Sequence, residues 1–359
     1  MRRSLFAWIH KYEHRLSAGA VVAGFIADNV FFNRIDLAIT HQLFITYLVV
    51  AAGSVAILHV LESRADGGSS RPRYASIFVI ATQFALGGLW SGFLIFYARS
   101  ATLSASWPFL LLLGLIFLGN EVFKKYHERL VFSSVLLFFA LYSYAIFTVP
   151  LFTRSIGVGS FIISGVAAVA VFALFLLFLR RIGRERLTKS LQSIQFWAGT
   201  VLLSLNLFYF FNILPPLPLA LSSAGMYHHV ATVGNTFYAK SEPQPWYASF
   251  GVTPIYHVRS GEPLYAFSAV FAPIALSTTI IHRWEYYDEA ASAWQTTSRV
   301  SFPISGGRER GYRVYSVKQK PFPGVWRVTI ETADGRLIGR ISFKVERVTE
   351  APLTESVTL

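Results

Sequence analysis

The sequence predicts an α-helical membrane bundle of about seven transmembrane helices followed by an all-β domain. Three observations predict it. The chain of 359 residues is 53% hydrophobic and 14% charged, whereas soluble domains carry about 25% charged residues. The long apolar runs stop near residue 213, and the residues beyond hold 14 of the 32 Lys and Arg and 11 of the 19 Asp and Glu. Those later residues alternate apolar and polar side chains in short runs separated by turn residues, which is a strand pattern.

Seven runs have roughly the apolar length of about 20 residues that a bilayer requires: 17–33, 42–61, 75–98, 102–119, 130–149, 158–179 and 191–213. The first is weaker because Asp28 and Asn29 fall inside it. An acid at mid-bilayer costs about 2.5–3.5 kcal/mol on insertion scales, but Asp28 lies near one end, where the cost is smaller. Lys and Arg in the segments flanking and joining the spans number 4, 1, 3, 1, 3, 1 and 5 in chain order. By the positive-inside rule this alternation predicts a cytoplasmic N-terminus, seven crossings and an external C-terminal domain. It also argues that 17–33 crosses, since otherwise the four N-terminal charges fall on the wrong side.

The segments assigned to the cytoplasm hold 15 basic and 6 acidic residues, so most of the net charge of +13 is this topology signal. Nucleic acid is therefore not an expected partner; the lipid bilayer is. Within residues 1–16, Leu5, Trp8, Ile9, Tyr12 and Leu16 share one helical face, which predicts an amphipathic segment on the inner leaflet. The usual small-residue cleavage site does not follow, so a cleaved signal peptide is not expected.

Several spans place small residues four apart, among them Gly88 and Gly92, and Ser160, Ser164 and Ala168; such spacing lets helix backbones approach closely. Asp28, Arg34, Asp36, Arg99 and Arg154 all fall near the expected outer surface. They form either an outward-facing polar site or rim ion pairs that orient short loops. A proton or ion pathway needs buried acids or histidines across the bilayer, and none is visible. An internal repeat of the kind many transporters carry is not visible either.

Beyond the last span, Pro215, Pro216 and Pro218 cannot continue a helix, so 214–225 reads as a linker. The stretch "SEPQPWYASFGVTP" reads as a loop, on which Trp246 either touches the headgroup zone or caps the domain core. Strand-like runs follow at about 226–232, 236–240, 255–259, 264–271, 278–287, 294–302, 312–318, 325–331 and 337–346. Asp334-Gly335 between the last two is a hairpin signal. Many short strands with regular turns predict an antiparallel, immunoglobulin-like sandwich over 226–348, with a tail at 349–359.

The richest stretch is "TTIIHRWEYYDEAASAW". On a strand, alternate side chains share a face. Ile280, His282, Trp284 and Tyr286 fall on one side; Ile281, Arg283, Glu285 and Tyr287 fall on the other. The first set is either a core face with a hydrogen-bonded histidine or an aromatic recognition surface. The second is a solvated face. Arg308 and Arg310 on "SGGRERGY" either capture an anionic group or decorate a solvated turn. The binding candidates are therefore His282, Arg283, Trp284, Tyr286, Arg308, Arg310 and Trp246. The absence of cysteine excludes disulfides, thiol catalysis and zinc–thiolate or iron–sulfur sites. His228, His229, His257 and His282 show no metal-ligand spacing such as H-E-x-x-H, and no G-x-S-x-G occurs. No catalytic, metal or cofactor residue is expected.

The pieces "HRWEYYD", "FPISGGRERGYRVYS" and "PGVWRVTIETADGRLIGRISFKV" resemble the DUF2914 family, a bacterial domain of unknown function. "AGFIADNVFFNRIDL", "SASWPFLLLLGLIFLGNEV" and "FTVPLF" resemble the helical segment that accompanies it in many members. The resemblance implies a multi-span protein of the bacterial cytoplasmic (inner) membrane with a β-sandwich tail, and brings no established activity or catalytic residue. The expected function is that of a non-enzymatic membrane protein whose external domain binds an envelope glycan, lipid headgroup or protein. The alternatives are a membrane enzyme acting on a lipid or polysaccharide, and a transporter or channel.

Overall fold

A computed structural model of the chain describes residues 38–66, 75–100, 103–122, 130–216, 218–234, 236–243, 253–273, 276–306 and 311–359. The chain divides into two compact units. One comprises the described residues of Met1–Ala98, Ser106–Pro150 and Val158–Leu214; the other, those of Arg99–Ala105, Leu151–Gly157 and Pro215–Leu359.

Six helices are described: α1 (Ala38–Asp66), α2 (Ala75–Ser100), α3 (Leu103–Val122), α4 (Leu130–Thr153), α5 (Val158–Ile182) and α6 (Arg184–Phe210). All but α3 are long and apolar enough to cross a membrane; α3 carries the shorter apolar stretch Ser106–Gly119. The expected segment 1–16 and the span 17–33 lie outside the described residues. Helix α6 begins at Arg184 rather than 191 because "RERLTKS" is helical without being apolar. Lys189 pairs with Glu185 one turn back at 2.9 Å, an i,i+4 contact that suits an exposed helix surface.

Aromatic contacts and small residues pack the first unit. Phe44 stacks on Phe93 at 5.2 Å, Phe138 meets Phe172 at 4.9 Å, and Phe161 stacks on Tyr209 at 3.7 Å. Ser160, Ser164 and Ala168 are all buried on α5, and the Ser164 hydroxyl donates to Ala145 O of α4 at 3.1 Å. Gly88 lies where a side chain would strike the Tyr47 ring. Apolar side chains such as Ile80, Phe84, Val166, Leu174 and Phe196 point outward, an exposure compatible with helices that face lipid.

The second unit is β-rich. Its strands are β1 (Ala220–Tyr227), β2 (His229–Val233), β3 (Thr236–Ser241), β4 (Ile255–Val258), β5 (Leu264–Phe271), β6 (Ser277–Asp288), β7 (Ala293–Ser305), β8 (Tyr312–Lys318), β9 (Gly324–Thr332), β10 (Leu337–Arg347) and β11 (Glu355–Thr358). They form a sheet β1-β5-β8, a sheet β4-β10-β9-β6-β7 and a sheet β11-β3-β2. The core is shared by strands of the first two sheets. One cluster joins Met226, Leu264 and Ala266 to Trp284, Trp326, Val328 and Phe343; a second joins Val270 and Val314 to Ile280, Ile304 and Ile330. Ser100, in the same unit, donates its hydroxyl to Leu219 O, and Ile156 packs against the second cluster.

The strands and their pairing depart from the sequence expectations in four places. Residues 220–225, read as linker, belong to β1, because their backbone pairs antiparallel with β5. The run 226–232 divides at His228 into β1 and β2. Part of the expected tail is β11, paired with β3. Pairing is antiparallel throughout except between β10 and β4, which run parallel. The Asp334-Gly335 turn does join β9 to β10: Gly335 takes φ +80 and its N–H donates to Thr332 O at 3.0 Å. That conformation carries no steric cost for glycine.

Candidate binding face

Alternation along β6 sorts its side chains as the sequence predicts. Ile280, His282 and Trp284 are buried in the core, and Tyr286 packs at its margin, edge-on to Phe322 at 4.9 Å. His282 is 1% exposed and ties this strand to two others. Its Nε2 lies 2.8 Å from the Ser268 hydroxyl of β5, and its Nδ1 lies 2.9 Å from the Ser316 hydroxyl of β8. Trp284 Nε1–H also donates to the Ser316 oxygen at 2.9 Å, and the imidazole meets the Phe302 ring at 5.0 Å. Burial pushes the imidazole pKa down to about 4, so it is neutral at pH 7 and satisfied by the two serines. Two binding candidates are thereby corrected. His282 and Trp284 lie between the sheets and cannot meet a ligand without opening the core.

The opposite face of the same sheet is built differently. Strand register sets Arg340 beside Thr329, Thr329 beside Arg283 and Arg283 beside Arg299, one row across β10, β9, β6 and β7. The next row is Ser342, Arg327, Glu285 and Thr296. Arg327 grips Glu285 with two bonds, at 2.8 and 3.1 Å, and Thr329 donates to the same carboxylate at 2.9 Å. Arg283 reaches Glu285 at 3.3 Å and Glu331 at 2.9 Å. The Arg327 guanidinium also lies over the Trp294 ring at 4.1 Å, where a cation meets the negative face of the π-system. Tyr287 packs edge-on against Trp294 at 5.3 Å.

This face was expected to be solvated, yet Glu285 and Glu331 are buried. Burial alone pushes the Glu285 carboxyl up, but the bonds from Arg327 and Thr329 and the charges of Arg283 and Arg327 hold it below its ordinary value. Bidentate arginine geometry makes such a pair tight and directional. The arginines outnumber the acids: Arg283, Arg299, Arg327 and Arg340 face Glu285 and Glu331. Among the described residues, Arg299 and Arg340 have no ion pair.

A third cluster was not foreseen. His257 N–H donates to Glu242 at 3.1 Å, the His257 ring bonds its other oxygen, and His228 Nε2 lies 3.2 Å from the carboxylate. Glu242 and His257 line an open cleft of about 510 Å³ beside Pro243, Glu350 and Leu353. Neither these three residues nor any other group of three or more His, Asp and Glu among the described residues is placed to hold a metal ion. No local motif marks this cluster: the β2–β3 pairing brings His228 beside Glu242, and His257 arrives on β4 of a different sheet.

Among the rim candidates, Arg154 lies exposed in the turn after α4 with φ +55. Asp28, Arg34, Asp36, Trp246, Arg308 and Arg310, and the Arg99 side chain, lie outside the described residues.

The row of arginines, the buried acids and the His282 bridge all fall on β6 to β10 or their partners, and this is the segment that relates the chain to others. Residues 277–345 match the DUF2914 family. DUF2914 is described as a protein of unknown function, and the match runs from the first strand of the arginine-bearing face to the last. No curated protein matches the chain in sequence. Among solved structures, a β-glucosidase from Listeria innocua in complex with gluconolactone is 11% identical with a TM-score of 0.19, covering 33% of this chain and 17% of that enzyme. The Pseudomonas fluorescens alkylpurine DNA glycosylase AlkC bound to DNA is 9% identical with a TM-score of 0.21, covering 85% of this chain and 98% of that one.

Proposed function

We propose that the chain is a seven-span protein of the bacterial cytoplasmic membrane whose DUF2914 region forms an external, immunoglobulin-like sandwich that binds an envelope component. The observation that carries the binding role is the outer face of β6, β7, β9 and β10. There, arginines exceed acids, and Trp294 and Tyr287 supply rigid aromatic surface of the kind favoured at recognition sites. Membrane residence is supported by the five long apolar helices and by the alternation of basic residues in the loops. The proposed orientation puts residues 99–105 and 151–157 outside, and both segments group with 215–359 in one compact unit. The domain division 1–16, 17–213, 214–225, 226–348 and 349–359 stands as part of this proposal, except that the β-rich region takes in the start of β1 at 220–225 and β11 in the tail.

The test immobilises the full-length protein in nanodiscs of zwitterionic lipid and exposes it to separated glycan, lipid and protein fractions of a bacterial envelope. One fraction should be retained, and Trp294→Ala should release it without lowering the yield of folded protein. Retention of nothing, or retention indifferent to Trp294→Ala, contradicts the binding role of this face.

A further inference from the structure

The binding face carries an electrostatic imbalance that its own acids do not correct. Glu285 and Glu331 are fully engaged by Arg283, Arg327 and Thr329. Register places Arg299 directly across from Arg283; Glu285 and Glu331 meet the Arg283 charge, whereas Arg299 holds no acid among the described residues, and like charges set opposite each other favour an added anion. Arg340 lies two strands from Arg283 on the other side, with only Thr329 between. With strands about 4.8 Å apart, the row of three arginines spans roughly 14 Å.

We propose that this row is a docking surface for a polyanionic saccharide, a sugar polymer with repeated carboxylate or phosphate groups. One anionic group meets Arg299 and a second reaches Arg340, while Arg283 between them stays held by Glu285 and Glu331. Guanidinium pairs carboxylate and phosphate through two parallel bonds, and the length of the row favours several anions over one. Charge complementarity selects the occupant. The exposed large apolar residues of the described β-strands (Val233, Tyr238 and Ile255) are not in these rows, and the aromatic rings beside them, Trp294 and Tyr287, pack on each other and under Arg327, so the row presents charge. The proposal rests on the reading of this face as an envelope-binding site and specifies the chemistry of its ligand.

The experiment uses the full-length protein in zwitterionic nanodiscs and fluorescent polygalacturonate as the probe. Uncharged dextran and phosphatidylglycerol vesicles are the comparison arms. Polygalacturonate should bind, dextran and vesicles should not, and added salt should weaken binding. Arg299→Gln with Arg340→Gln removes two exposed charges that hold no acid, and should weaken binding about tenfold or more. Lys240→Gln, an exposed charge on β3, should leave it within about twofold. The proposal is overturned if the double variant binds like the parent, if Lys240→Gln weakens binding equally, or if vesicles bind in preference to the polymer. Retention of an uncharged envelope glycan with no affinity for polygalacturonate sinks this proposal and leaves the broader binding role intact.

Discussion

Replacing His282 with alanine removes the side chain that bridges β6 to β5 and β8. In the parent its two ring nitrogens satisfy the Ser268 and Ser316 hydroxyls at 2.8 and 2.9 Å. The variant leaves Ser268 without that bond and a void next to Phe302. An unmet buried hydroxyl costs about 1–3 kcal/mol, and truncating a large buried side chain costs a few kcal/mol more, so the loss should be about 3–5 kcal/mol at pH 7. A pH signature separates this from ordinary cavity formation. Burial lowers the imidazole from 6.5 to about 4, so between those values the unfolded chain binds a proton that the folded chain refuses. Stability is therefore full above pH 6.5 and falls as the pH drops towards 4. A shift of this size corresponds to about 3 kcal/mol. His282→Ala lacks that dependence, so its deficit relative to the parent should shrink by about that amount from pH 7 to pH 4. Thermal and denaturant unfolding of the full-length protein in detergent, followed by tryptophan fluorescence to which buried Trp284 and Trp326 contribute, reads both quantities. A deficit below about 1 kcal/mol at pH 7, or one independent of pH, would refute the bridging role.

Two further substitutions test other parts of the account. Glu285→Gln keeps the shape but leaves Arg283 and Arg327 without their shared charge. Because both arginines are partly solvated, the expected loss is about 1–3 kcal/mol by denaturant unfolding. The folded Glu285 pKa is held low, so the parent gains this stability above the ordinary glutamate value of 4.5 and loses it as pH falls through the folded value; the variant should lose that dependence, and an unchanged acid profile would count against the pair. In the helical unit, Gly183→Ala would bring a Cβ within 2.5 Å of His59 Nε2, which now bonds Gly183 O at 2.9 Å. Crowding of this kind costs about 1–3 kcal/mol, so the variant should unfold earlier in detergent, and equal stability would argue against that contact.

Much of the fold could be read from local pattern, because helix and strand periodicity are local. The apolar runs 42–61 and 130–149 fall inside α1 and α4, and Val328 and Ile330 face the core while Arg327 and Thr329 face away. The start of α6 was missed because "RERLTKS" continues a helix without being apolar. Strand β1 was missed because "ALSSAGMY" is defined by pairing with β5, some 40 positions on, rather than by its own alternation. The candidate face is half legible. Period two put Arg283 and Glu285 on one side, but the depth of Glu285 depends on Arg327, 42 residues away. The partners of His282 lie 14 and 34 residues off, and Glu242 meets His257 only where the ends of β3 and β4 converge. Such contacts are set by topology, which a single sequence does not spell out.

The central claim is that the helices cross a membrane and hold the β-rich region outside. It is tested most directly by reporter fusions in the intact bacterium. A reporter active only outside the cytoplasm, fused after Leu359, should be active; the same reporter after Arg64, Lys125 or Arg186 should be silent, as the basic residues flanking those sites predict. A silent reporter after Leu359, with an active one after Arg186, would place the arginine face in the cytoplasm and contradict the account.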